Sequence, residues 1–121
     1  MTMSCTITEE RHGTVKKVKA VWVSAANGTA SGTTTYAYSG EIIRLVTVPA
    51  AAGSAPTDDY DVVVNDEDST DVLMGAGANR DTANTEQVLA SSLGCVANDK
   101  LAFAISNAGD TKGGTVYVYI R

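Results

Sequence analysis

Residues 101–121 read LAFAISNAGDTKGGTVYVYIR. Large apolar residues occupy every second position near both ends of this stretch: Leu101, Phe103, Ile105, Val116, Val118 and Ile120. Successive side chains of a β-strand point to opposite faces, so this period of two predicts two half-buried strands. The segment 107–114 between them is rich in Gly, Asn and Asp. It predicts a turn that closes the two strands into a hairpin.

The same alternation recurs along most of the chain. It predicts further strands over residues 14–24, 33–39, 41–48, 60–65, 71–74, 86–89 and 95–100. Residues 4–10 fit either a short strand or an extended arm. Eight or nine short strands joined by turns predict an all-β fold, namely an antiparallel, jelly-roll-like β-sandwich. Residues 1–13 are predicted to be an N-terminal arm or edge strand, and residues 14–121 a single sandwich domain.

The composition limits the classes of partner. The chain has 121 residues and a formal net charge of −5, from 14 acidic and 9 basic residues. Nucleic-acid binding needs a dense basic surface, so no nucleic acid is expected as a partner. No membrane partner is expected either, because no run approaches the roughly 20 apolar residues of a spanning helix. The absence of a recognisable signal peptide predicts synthesis in a cytoplasm, and Cys5 and Cys95 are predicted to be reduced thiols.

The chain offers little to a catalytic site. His12 is its only histidine, and a nucleophilic triad needs a histidine that a third group holds rigidly. The acidic run 66–71 has carboxylates at calcium-loop spacing. It lacks the glycine at the sixth loop position and the glutamate at the twelfth, so we interpret it as a solvated turn. We therefore expect no enzyme, and no catalytic, cofactor-binding or metal-binding residues.

Two tyrosine pairs are candidates for a protein contact. Tyr36 and Tyr38 lie two residues apart in one predicted strand, and Tyr117 and Tyr119 do so in the last, so each pair shares a face. The aliphatic residues of the last strand are expected to occupy the face toward the core. Tyr117 and Tyr119 are therefore predicted to point outward. Outward tyrosines are favoured at protein interfaces, so these four are candidate oligomer contacts. Cross-strand pairing on a solvated surface is the alternative.

Several motifs together resemble one family. Residues 60–68 read YDVVVNDED, and they are followed by DVL at 71–73 and GANR at 77–80. The C-terminal part adds SNAGD at 106–110 and KGGTVYVY at 112–119. This combination resembles the small capsid decoration proteins, also called cement proteins, of tailed bacteriophages.

The resemblance extends from Val18 to the C-terminus and implies a viral structural protein with a β-sandwich or jelly-roll fold. It implies two partners, the major capsid protein and further copies of the chain as a dimer or trimer. It also implies synthesis in a bacterial cytoplasm and a place on the outer capsid surface, between neighbouring capsid proteins. The N-terminal segment is expected to add a strand to a capsid sheet and to be dispensable for folding. Its candidate contact residues are Thr2, Met3, Ser4, Cys5 and Ile7.

Two alternatives remain. The first is a phage tail or fibre module that binds host glycans, which would need an exposed aromatic or acidic pocket. The second is a hydrolase of unfamiliar type that uses the carboxylates of Asp66, Asp68 and Asp71.

Overall fold

Nine β-strands form the framework of residues 2–121, the part of the chain that the computed structural model describes. They are β1 Ser4–His12, β2 Val15–Val23, β3 Ala30–Thr33, β4 Tyr38–Pro49, β5 Asp61–Asn65, β6 Glu86–Leu89, β7 Cys95–Asp99, β8 Ala102–Ser106 and β9 Gly113–Ile120. Two short 3-10 turns, Ala52–Ser54 and Ala90–Ser92, are the helical segments within this range. Neither is long and apolar enough to cross a membrane.

The strands form two antiparallel sheets. Sheet A has the order β1-β2-β9-β4-β6, with β7 also paired to β4, and sheet B has the order β3-β8-β5. Their apolar faces enclose one core. The predicted all-β antiparallel sandwich is therefore confirmed. A jelly roll consists of eight strands arranged in two Greek keys. The strand orders within residues 2–121, with three strands in sheet B, do not establish that topology. The more specific prediction of a jelly roll therefore stays a prediction.

The hairpin predicted for the last two strands is wrong. β8 pairs with β3 and β5 in sheet B, whereas β9 lies between β2 and β4 in sheet A. The connection crosses between the sheets because it is anchored on the loop after β2. The buried Ser24 hydroxyl donates to the carbonyl of Gly109 over 2.6 Å and accepts the amide hydrogen of Lys112 over 2.9 Å. The amide of Ala108 donates to the carbonyl of Gly28 over 3.1 Å.

The predicted strand 33–39 is interrupted. β3 ends before Thr34, and β4 begins at Tyr38. The Thr34 hydroxyl donates to the carbonyl of Tyr36 over 2.8 Å and accepts the amide hydrogen of Leu101 over 2.9 Å. These local bonds compete with the sheet ladder, as threonine hydroxyls often do, and they turn the chain between the two strands.

Residues 71–74 do not form the predicted partner strand. They meet β5 at a single bridge, between Asn65 and Asp71, and then enter a series of turns. The Asp71 carboxylate accepts hydrogen bonds from three backbone amides, those of Val64, Leu73 and Gly75. One aspartate thus bends the chain out of the ladder.

The core is centred on two aromatic rings. Trp22 of β2 and Tyr60 are fully buried, and their ring centroids lie 5.6 Å apart. Gly114 of β9 is the register partner of Trp22, and a Cβ there would lie 2.9 Å from the indole Cζ2. Burial of one large apolar side chain contributes roughly 1.5–3 kcal/mol. The absence of a side chain at position 114 therefore allows the indole to cover β9.

Gly77 tests how tightly the segment after β5 packs. A Cβ at this position would collide with the carbonyl oxygen of Val62, a backbone atom that cannot move aside alone. We expect Gly77→Ala to lower the free energy of unfolding by about 3 kcal/mol, at the upper end of overpacking costs, as measured by urea denaturation. Gly53→Ala is the matched control, because a Cβ at Gly53 meets no atom within 4 Å. Equal stabilities of the two variants would contradict this packing.

Candidate functional site

The outer surface of sheet A carries a distinctive group of side chains. The register of the sheet places Tyr119 directly between Lys17 of β2 and Arg44 of β4, and it places Tyr117 beside Lys19. We call this surface the tyrosine face, and its six residues are Lys17, Lys19, Arg44, Val46, Tyr117 and Tyr119. Because the alternate residues of β9 point into the core, the pleat of the strand fixes both tyrosines on the outside.

The aromatic rings and the cations of the tyrosine face hold one another in place. The two rings stack with centroids 6.4 Å apart and planes 18° apart. The Nζ atoms of Lys17 and Lys19 lie 5.2 Å and 5.8 Å from the Tyr117 centroid, and the Arg44 guanidinium lies 5.1 Å from that of Tyr119. Each such contact contributes about 0.5–1 kcal/mol at an exposed site. These contacts restrict the side chains of the tyrosine face.

The cations of the tyrosine face form no ion pair within residues 2–121, although Glu10 lies opposite Lys17 in the β1–β2 register and both Lys17 and Lys19 act to lower its pKa. The ion pairs there are His12–Glu10 and Arg80–Glu86. Arg44 is held by a neutral group, since its Nε and Nη2 both donate to the Gln87 side-chain oxygen, over 3.0 Å and 2.7 Å. Three positive charges beside the single carboxylate of Glu10 give this sheet face an excess of positive charge in a chain with net charge −5.

An apolar groove of about 500 Å³ continues the tyrosine face toward the other end of the sheet. Val21 follows Lys19 on the same side of β2, and its register partner Thr115 precedes Tyr117 on β9. Val21 and Val23 line the groove together with residues 48–50 and 111–115. Val21 is 41% exposed although it is aliphatic. The outer surface of sheet A thus changes from cationic and aromatic to apolar along its strands.

The sequence prediction for the tyrosines holds for one pair and fails for the other. Tyr117 and Tyr119 point outward, as expected. Tyr36 and Tyr38 do not share a strand face, because the chain turns between β3 and β4. Tyr36 is 63% exposed, whereas Tyr38 is 5% exposed and belongs to the core. Tyr38 is therefore removed from the candidate oligomer contacts.

The N-terminal segment is an edge strand, the second of its two predicted forms. Thr2 and Met3 are exposed and precede β1, whereas Met1 lies outside the described residues. Ser4 points outward, and β1 pairs with β2 along its whole length. Cys5 and Ile7 point inward and pack against the core, close to Gly32 of β3. Burial raises the pKa of the Cys5 thiol, and Cys5 and Cys95 are both free.

Glu9 fastens β1 to the turn between β3 and β4, a role that the sequence reasoning missed. Its carboxylate accepts hydrogen bonds from the amide of Thr35 over 2.9 Å, the amide of Tyr36 over 3.1 Å and the hydroxyl of Tyr38 over 2.7 Å. Partial burial acts to raise the pKa of Glu9, but these hydrogen bonds outweigh it and the net pKa is lowered. The sequence did contain a signal for this role, because Glu9 is a carboxylate at a position of β1 that the alternation directs inward.

The carboxylates of the acidic run act on backbone amides. Asp66 accepts the amide hydrogens of Asp68 and Thr70 over 2.9 Å and 3.1 Å, and Asp71 forms the turns described above. No group of three or more His, Cys, Asp or Glu side chains within residues 2–121 has a geometry that could hold a metal ion. Asp66 and Asp71 thus hold backbone turns through their side-chain oxygens.

Comparisons with protein family models, with curated proteins and with solved structures found no match.

The Glu9 contacts predict a pH-dependent contribution to stability. The folded-state pKa of Glu9 is lowered, so the contribution is complete above the unfolded value of about 4.3 and is lost as the pH falls through the folded value. We expect Glu9→Gln to be less stable than the wild type by about 1 kcal/mol at pH 7, after allowance for solvent contact. The difference should approach zero once the pH lies below the folded-state pKa of Glu9, because both side chains are then neutral.

The measurement is chemical denaturation of both proteins across this pH range. Glu41→Gln is the matched control, because the exposed Glu41 side chain accepts no hydrogen bond within residues 2–121. A wild-type advantage that stayed constant with pH would show that Glu9 stabilises by shape and not by charge.

Proposed function

We propose that this protein is a viral structural protein that decorates a bacteriophage capsid and stabilises it by binding between major capsid proteins. The observation that carries the proposal is the tyrosine face, a surface of stacked tyrosine rings with an excess of positive charge. The motif resemblance described for residues 60–80 and 106–119 supports the viral assignment. The β-sandwich supports a mechanical role, since a closely packed core resists deformation.

The tyrosine face has the composition of a protein-binding surface. Tyrosine and arginine are enriched at interfaces and among the residues that dominate binding energy. Stacking already restricts the rings of Tyr117 and Tyr119, so little further conformational entropy is lost on binding. The apolar groove beside them would let one contact combine a charged part with an apolar part.

Charge points to an acidic partner surface. Lys17, Lys19 and Arg44 form no ion pair within residues 2–121, and the one carboxylate beside them, that of Glu10, leaves an excess of positive charge. A two-fold dimer through this face would place the same patch on both sides and bring like charges together. We therefore propose that the tyrosine face binds an acidic surface of the capsid protein. The predicted contact between copies of the chain would then use a different surface.

The edge strand β1 supports a second contact with the capsid. It is the outermost strand of sheet A, and an exposed edge can accept an added strand through main-chain hydrogen bonds. Thr2, Met3 and Ser4 are exposed at its start. Cys5 and Ile7 are less suited to this role, because they already pack against the core. Many copies on a symmetric lattice would make weak individual contacts sufficient.

The test is co-sedimentation with capsids that lack the protein. We expect saturable binding by the wild type and a higher temperature of particle disruption. The double variant Tyr117→Ala/Tyr119→Ala should bind about 30-fold more weakly, which corresponds to the loss of about 2 kcal/mol at a hot spot. Tyr36→Ala is the matched control, because Tyr36 is exposed but lies outside the tyrosine face.

The possible outcomes test separately whether the protein decorates capsids and whether it binds through the tyrosine face. Absence of wild-type binding would refute the decoration role and leave the tail or fibre module as the preferred function. Full binding by the double variant would retain the role but exclude the tyrosine face. Binding through the cations should also weaken as salt rises from low to physiological concentration.

A further inference from the structure

Three polar side-chain atoms in the core have no hydrogen-bond partner within residues 2–121. They are the indole Nε1 of Trp22 and the hydroxyl oxygens of Thr47 and Tyr60. Each of these side chains is at most 1% exposed. Buried polar groups are nearly always paired, because a hydrogen bond that is lost on leaving water and not replaced costs free energy. We therefore expect these three atoms to share a further partner.

Sheet A brings two of the three side chains together. Thr47 of β4 is the register partner of the core residue Val116, so the pleat directs its side chain inward. The Trp22 indole covers β9 from the other side, since a Cβ at Gly114 would lie 3.1 Å from Cε2, the carbon bonded to Nε1. Because β4 is the next strand beyond β9, the indole N–H lies close to the strand that carries Thr47.

Tyr60, which directly precedes β5 of sheet B, meets both of these side chains. Its ring contacts the Trp22 ring, with centroids 5.6 Å apart and planes inclined by 47°. Burial raises the pKa of Tyr60 to about 12, and the Thr47 hydroxyl exerts the largest opposing effect. That effect indicates that the two hydroxyls are neighbours, although their geometry does not form a direct hydrogen bond. The cluster therefore joins the two sheets across the core.

The chemistry of the three groups selects a small neutral ligand. The indole N–H can only donate, whereas each hydroxyl can both donate and accept. A water oxygen can accept from the indole N–H and from one hydroxyl, and a water hydrogen can then donate to the other hydroxyl oxygen. Internal waters typically make about three hydrogen bonds to buried polar groups that otherwise lack partners. The hydrogen-bonding capacity of the cluster matches that of one water molecule.

We propose that the core binds one internal water molecule, which bridges the hydroxyls of Thr47 and Tyr60 and accepts a hydrogen bond from the Trp22 indole. The water connects β4 of sheet A to the residue that leads into β5 of sheet B. A buried polar network whose members are all satisfied specifies a unique core, so the water holds the two aromatic rings in one arrangement. This site does not depend on the proposed capsid role.

The first test is a high-resolution crystal structure of the full chain and of the variant Thr47→Val. We expect an ordered water in the wild type, roughly 2.7–3.2 Å from Thr47 Oγ1, the Tyr60 hydroxyl oxygen and Trp22 Nε1. The variant should lose this water or hold it at lower occupancy. A wild-type core without the water, with the two hydroxyls bonded directly to each other, would overturn the proposal.

The second test is the sign of the stability change in solution. Valine has the shape of threonine without the hydroxyl, so Thr47→Val removes one partner of the water. We expect the equilibrium constant for unfolding, measured by urea denaturation, to rise about fivefold. Thr8→Val is the matched control, because Thr8 is exposed and its hydroxyl meets solvent. Removal of a buried hydroxyl that had no partner would stabilise the protein, so an unchanged or lower constant for Thr47→Val would refute the site.

Discussion

The central position of β9 is the constraint on which the rest of the structure depends. It pairs with β2 on one side and β4 on the other, and these two pairings make up the middle of sheet A. Its pleat sends Val116, Val118 and Ile120 into the core and leaves Tyr117 and Tyr119 outside. The same alternation that closes the core therefore creates the tyrosine face, and a one-residue slip of register would destroy both.

Period two also explains how one short basic segment contributes to both sides of sheet A. Lys16, Lys17 and Lys19 lie close together in the sequence, which favours interpretation as a single solvated face. In β2 they divide between the two sides of the strand. Lys17 and Lys19 belong to the tyrosine face, whereas Lys16 lies on the other side of β2, opposite Arg11 of β1. A basic run in the sequence thus becomes two separate groups of charges on opposite sides of sheet A.

The sequence predicted elements better than it predicted their partners. Alternation is a local property, so it located β2, β4, β5 and β9 to within a few residues. Pairing is not local. Ser24 holds the loop after β8 through bonds to Gly109 and Lys112, and no pattern within residues 101–121 reveals that anchor. Side-chain hydrogen bonds of this kind also ended the strands predicted over 33–39 and 71–74.

The same distinction applies to the sites. The outward direction of Tyr117 and Tyr119 follows from β9 alone, and it was predictable. The opposition of Arg11 and Lys16 could have been found from the two-residue turn Gly13-Thr14, which fixes the hairpin register. The separation of Tyr36 from Tyr38 could not, because it depends on Thr34 bonding to the distant Leu101.

Edge strand β1 shows why binding and folding are difficult to separate in this protein. The sequence interpretation treated residues 1–10 as removable without loss of the fold. That expectation does not fit the structure, because Cys5 and Ile7 cover part of the core and Glu9 fastens the turn before β4. Removal would also expose the whole edge of β2, and a long bare edge favours aggregation. Loss of capsid binding after such a truncation would therefore not identify a contact, whereas substitutions of outward side chains act on one surface at a time.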